Sequence, residues 1–68
     1  MKKFANRLLE LRREKDISQF ELAEAVQVSH SIVCYWETDR SEPSASNLVK
    51  LADFFGVSVV YLLGRCDY

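Results

Sequence analysis

Ser18-Gln-Phe-Glu21-Leu-Ala23-Glu-Ala-Val26-Gln-Val28-Ser29-His-Ser-Ile-Val33-Cys-Tyr-Trp36-Glu37 is the stretch on which the reading turns. It reads as two short helices joined by a tight turn. Ser18 followed by Glu21 is a capping box, a start signal for the first of them. Ser29 stands where a cap for the second is needed, and only Gln27 and Val28 separate it from Val26. Helices joined this tightly leave room for little beyond a small side chain where their axes cross, and Ala23 sits at that crossing. Leu22, Val26, Val28, Val33 and Trp36 supply the apolar faces. The outward face of the second helix is thereby left free to touch something else.

Working outward, Phe4, Leu8 and Leu11 follow the helical i, i+4, i+7 spacing, which predicts a helix from about Phe4 to Glu14. Asp16, a residue type that tolerates left-handed backbone, ends it. On the other side, Thr38-Asp-Arg-Ser-Glu-Pro43 is a polar loop, and Pro43-Ser44 announces a helix whose inner face is Leu48, Leu51, Ala52 and Phe55. Gly56 serves as its C-cap. Ser58 caps a last short helix, Val59 to Leu63, closed by Gly64. The expectation is a single all-α domain over 1–68, with five helices, no strands and no repeat. Its ordered core covers about 4–64, with a loose tail over 65–68. The central pair is a helix-turn-helix arrangement, in which the second helix enters the major groove of DNA.

Size and composition narrow the function classes. Sixty-eight residues make one domain near the lower limit for an unstapled core. A chain that is 49% hydrophobic and 28% charged is compact rather than disordered. It has no room for a deep catalytic pocket plus a scaffold. The sole His has no paired nucleophile or acid in its stretch, so no enzyme activity is expected. Cys34 and Cys66 have no partners at ligand spacing and read as reduced thiols, without a metal site. No cofactor or small-molecule ligand is called for. The start lacks a signal peptide and no apolar run reaches membrane-spanning length, so a cytoplasmic protein without membrane contact is expected. The formal net charge of −1 gives no bulk attraction for phosphate.

Beyond the central pair, the pattern resembles the Cro and repressor-type helix-turn-helix family of phage and bacterial regulators, the Xre family. The similarity runs from Leu8-x-x-Leu-Arg12 through Ile17-Ser-Gln-x-Glu-Leu-Ala23 and Trp36-Glu37 to Glu42-Pro43. It continues in Leu51-Ala-Asp-Phe-Phe-Gly56-Val-Ser and ends at Tyr61-Leu-Leu-Gly64. The resemblance implies a lambda-repressor-like five-helix fold and a double-stranded DNA operator as partner. It implies that Gln19 binds a phosphate and braces the recognition helix, and that His30, Ser31 and Tyr35 reach base edges. Ser29, which caps that helix, joins the DNA-binding set. The resemblance further implies that Thr38, Arg40 and Ser44 hold the phosphate backbone and that Arg12 and Glu37 form an ion bridge between the first and third helices. Trp36 matches a position that is usually large, apolar and buried.

The departures from the family are equally specific. Gln27 stands at the turn position most often occupied by Gly, and Asp16 and Asp39 occupy two other frequent glycine positions. The segment from Gln27 to Thr38 contains no Lys or Arg, so the arginine–guanine fork is not available to it. Lys2, Lys3 and Arg7 read as a solvated terminus. Val60, with Val59 and Tyr61, gives the last helix an apolar, self-complementary patch where family members often carry charge, which points to a homodimer. The favoured function is a dimeric, sequence-specific DNA-binding repressor. The alternative is a protein-interaction module of the same fold with little or no DNA binding, motivated by the acidic balance and the cation-free helix.

Overall fold

A computed structural model describes residues 1–66. It contains α1 (Lys2–Lys15), α2 (Gln19–Val26), α3 (His30–Glu37), α4 (Ala45–Phe55) and α5 (Val59–Leu62), and no strand among the described residues. The all-α five-helix expectation holds. α1 begins two residues earlier than the apolar spacing indicated, because the Ala5 amide already donates to the Met1 carbonyl at 3.1 Å. Lys2 and Lys3 therefore belong to a helical first turn, and both are exposed. α5 ends at Leu62, with Leu63 as its C-cap. Arg65 is still tied back, its amide donating to the Val60 carbonyl at 3.1 Å. Cys66 is half-buried, and residues 67 and 68 of the expected loose tail lie outside the described residues.

The core is one cluster to which every helix contributes: Phe4, Leu8 and Leu11 from α1; Leu22, Ala23 and Val26 from α2; Val33 and Trp36 from α3; Leu51 and Ala52 from α4; Leu62 from α5. Trp36 is 2% exposed and meets Phe4 edge to face, with ring centroids 6.4 Å apart. Burying a side chain of this size stabilises a small domain by about 2–3 kcal/mol, a large share of its total. Ala23 is 4% exposed and belongs to the same cluster, where a longer side chain would have to displace its neighbours.

A feature not foreseen in the sequence is that one joint is built three times. Each time a helix ends in a left-handed residue, followed by a half-buried aliphatic residue and then a capping serine: Asp16-Ile17-Ser18, Gln27-Val28-Ser29 and Gly56-Val57-Ser58. The left-handed φ values are 57°, 62° and 69°. The aliphatic amide reaches back across the last helical turn, from Ile17 to Arg12 O at 3.3 Å, Val28 to Ala23 O at 2.9 Å and Val57 to Ala52 O at 3.0 Å. This is the Schellman arrangement, and the aliphatic side chain seals it against the core. The serine Oγ then accepts the N3 amide of the next helix, at 3.0 Å from Glu21, 3.3 Å from Ile32 and 2.9 Å from Tyr61. Two of the joints share a longer pattern, Leu22–Ser29 and Leu51–Ser58, so the expectation of no repeat is corrected to a local repeat of eight residues. It escapes a sequence reading because Gln at one left-handed position and Gly at the other look unlike.

Candidate nucleic-acid interface

The α2–α3 joint is locked by a chain of polar side chains that begins on α1. Arg12 Nε donates to Glu37 Oε2 at 2.7 Å and Arg12 Nη2 donates to Glu37 Oε1 at 3.1 Å, a two-pronged fork. Arg12 Nη1 also donates to the Ile17 carbonyl at 3.0 Å, which fixes the guanidinium to the α1–α2 turn. The two side chains are 16% and 4% exposed. The hydrogen bond to Glu37 raises the Arg12 pKa against the opposing effect of burial, and the Glu37 charge adds to the rise. A raised guanidinium pKa keeps the Arg12 charge in place at all lower pH. It is lost only as pH rises through a value already beyond the working range, so the pair is a fixed clamp on the Arg12 side.

Glu37 passes the constraint on. Gln19 Nε2 donates to Glu37 Oε1 at 2.9 Å, and Gln19 Oε1 lies 3.0 Å from His30 Nε2. The His30 ring lies parallel to Phe20, with centroids 3.9 Å apart and planes 8° from coincidence. Phe20 is 67% exposed. It was missed in the sequence, although a signal was there: an aromatic residue off the Leu22, Ala23, Val26 stripe, next to Gln19. The structure thus brings Arg12, Glu37, Gln19 and His30 into one connected unit.

The remaining expected residues fall into three settings. Ser31 and Tyr35 are exposed, one turn apart on α3. Ser29 and Ser44 are N-caps of α3 and α4, and Thr38 is the C-cap of α3, its Oγ1 donating to the Cys34 carbonyl at 2.8 Å. Arg40 is exposed and follows Asp39, whose φ of 61° turns the chain out of α3. Cys34 is half-buried and carries a free thiol. On α5, which packs against α1 and α4, Val60 is 52% exposed. Val59 and Tyr61 are half-buried there. The Arg7 guanidinium sits 4.1 Å from the centre of the Tyr61 ring. The structure corrects one reading there: Arg7 is not part of a solvated terminus.

With this geometry in hand, comparison with known proteins is decisive for the family. A family model described as Helix-turn-helix matches residues 8–62. The chain belongs to the helix-turn-helix family of Cro and repressor type. Within that family it is 34% identical over 59 residues to the HTH-type transcriptional regulator ImmR of Bacillus subtilis, covering 87% of this chain and 46% of ImmR. It is 33% identical over 60 residues to the HTH-type transcriptional activator BcrR of Enterococcus faecalis, covering 88% of this chain and 29% of BcrR. The chain therefore spans about half the length, or less, of these two curated relatives. Among solved structures it is similar to the P22 c2 repressor protein crystallised with a synthetic operator. The TM-score is 0.87 at 30% identity, with 93% of this chain and 96% of that chain covered. The helix-turn-helix in this chain is α2–α3, and the chain of bonds from Arg12 through Gln19 ties both ends of α3, Glu37 and His30, to α1 and α2.

Proposed function

We propose that this chain is a sequence-specific DNA-binding transcriptional regulator that represses by occupying an operator, acting inside a bacterial cell. α3 enters the major groove, where His30, Ser31 and Tyr35 meet base edges. Gln19, Ser29, Thr38, Arg40 and Ser44 hold the flanking backbone. The observation that supports this best is a contrast on α3. Its inner residues Val33 and Trp36 are sealed in the core, and its first residue is braced by Gln19, while Ser31 and Tyr35 are left outward with no structural task. The near-complete overlap with an operator-bound repressor supports the same reading. Two copies, joined through Val59, Val60 and Tyr61 of α5, would present two α3 helices to half-sites about 34 Å apart. No catalytic role belongs to this reading.

The test is selection of bound sequences from a random double-stranded DNA pool at low salt, followed by a salt titration of the winner. An enriched palindrome with half-sites one helical turn apart, whose affinity falls with added salt, is the expected result. Ser31→Ala combined with Tyr35→Ala should abolish specific binding and leave helical content intact, since each base contact is worth about 1–3 kcal/mol. Unchanged affinity in that variant would sink the assignment of α3. No enrichment even at low salt would refute the DNA reading in favour of a protein-interaction module.

A further inference from the structure

The hydrogen-bond chain that ends at His30 has a direction. A carboxylate only accepts, so the Gln19 amide must turn its NH2 toward Glu37, where Nε2 lies 2.9 Å from Oε1. Its carbonyl oxygen is then left for His30, 3.0 Å from Nε2. A carbonyl cannot donate, so Nε2 of His30 carries the proton in this bond. In the neutral ring the other nitrogen, Nδ1, is then an acceptor. Nδ1 has no partner among the described residues. Phe20 lies against one face of the ring and fixes its plane. Nδ1 is the one hydrogen-bonding atom the ring has left to offer.

On the reading that α3 enters the major groove, we propose that His30 determines specificity by accepting, through Nδ1, a hydrogen bond from an exocyclic amino group. The base it takes is adenine (N6) or cytosine (N4), and Arg12, Glu37 and Gln19 are positioning residues that hold the ring in its accepting tautomer. In the major groove adenine and cytosine each present an amino donor. Guanine presents only N7 and O6, and thymine only O4 and its methyl. An accepting nitrogen therefore favours A or C on the strand it faces and leaves G or T with two acceptors opposed. This gives base discrimination to a helix with no Lys or Arg, where a guanine fork is impossible. The relay matters because a free neutral imidazole samples both tautomers and would accept from one base as readily as it donates to another.

Two measurements test this. The first is nitrogen NMR of the His30 ring in the DNA-free chain at about pH 8, where ordinary imidazoles are neutral. The native chain should show the proton on Nε2. Gln19→Met, which offers the ring no acceptor of this kind, should show a mixture. A native ring protonated on Nδ1 overturns the proposal. The second uses the selected operator at the same pH, with the base opposite His30 identified as the position whose preference changes in His30→Ala. The A or C of that base pair carries its one amino group in the major groove. Replacing it with an analogue lacking the amino group should weaken native binding about 3–10-fold and leave His30→Ala within about twofold. Gln19→Met should lose the preference at that position while the positions set by Ser31 and Tyr35 keep theirs. Indifference to removal of the amine overturns the polarity assignment alone. A pool that yields no operator overturns the DNA reading and this inference together.

Discussion

The joint between α2 and α3 and the joint between α4 and α5 have the same backbone and serve different ends. Both begin with a buried Leu-Ala pair, Leu22-Ala23 and Leu51-Ala52. Both turn through a left-handed residue, seal with a valine and restart on a serine cap. They differ at the left-handed position, Gln27 against Gly56, and in the helix each one launches. After Gln27 comes an eight-residue helix whose first side chain is tied through Gln19 to a buried carboxylate. After Gly56 comes a four-residue helix with an exposed valine on its outer side. The joint therefore supplies placement and nothing more. On the proposed function, directional hydrogen bonds suit the α3 end to recognition and apolar exposure suits the α5 end to association.

The largest expected effect comes from breaking the clamp at the α2–α3 end. Arg12→Met leaves the Glu37 carboxylate, 4% exposed, without its charged partner. Stripping one member from a buried pair costs about 3–5 kcal/mol. A domain of this size has a total stability of only several kcal/mol, so the variant should be largely unfolded at ambient temperature, as urea titration followed by circular dichroism will show. Arg12→Met with Glu37→Leu should regain much of that stability, since an apolar pair replaces a buried ion pair at little cost. Operator discrimination should not return with it, because Gln19 then has no carboxylate to orient it. A single variant as stable as the native chain would break the comparison at its strongest point.

The second prediction addresses the other end. Val60→Asp places a charge on the α5 surface and should weaken self-association by roughly 10–50-fold, equivalent to about 1.4–2.3 kcal/mol. The monomer should remain folded, because Val60 is 52% exposed. Sedimentation equilibrium over a concentration series reads the change directly. Superimposable profiles for native and variant chains would remove α5 from the dimer.

The same division separates the features legible in the sequence from those that were not. The helices, the capping serines and the core stripes were readable because each depends on residues three or four apart, where local periodicity reports burial. The Arg12–Glu37 bridge was readable only through family resemblance, since its members are 25 residues apart and no local rule joins them. Phe20 was overlooked for a related reason. Its partner His30 lies on the next helix, so the stack exists only once the joint has folded. Arg7 over Tyr61 joins α1 to α5 in the same way, across nearly the whole chain. Side-chain contacts between elements that meet only in three dimensions leave no periodic trace.

Two smaller effects come from exchanging the residues at which the joints differ. Gly56 has a φ of 69°, and a Cβ built there meets nothing within 4 Å. Gly56→Ala should therefore lose about 1–2 kcal/mol from left-handed strain alone, with no steric contribution. The thermal midpoint should drop by several degrees, in line with the size of the domain. A neutral result would mean that the α4–α5 joint relaxes its backbone and is not held as the α2–α3 joint is.

Gln27→Gly is the reciprocal exchange and the smallest effect. Gln27 is exposed at a φ of 62°, and its backbone does all that the joint requires of it by donating to the Ala23 and Glu24 carbonyls. Glycine relieves about 1–2 kcal/mol of left-handed strain but gives the unfolded chain more freedom, which takes back about 0.5–1 kcal/mol. The net expectation is stabilisation by about 0.5–1 kcal/mol, visible as a higher urea midpoint with an unchanged slope. Operator affinity then separates two explanations for the strained residue. If affinity is unchanged, Gln27 is a tolerated substitute at a glycine position and the two joints are equivalent. If affinity falls while stability rises, the glutamine side chain is retained for the DNA, and the α2–α3 joint itself, not only the helix it launches, belongs to the recognition surface.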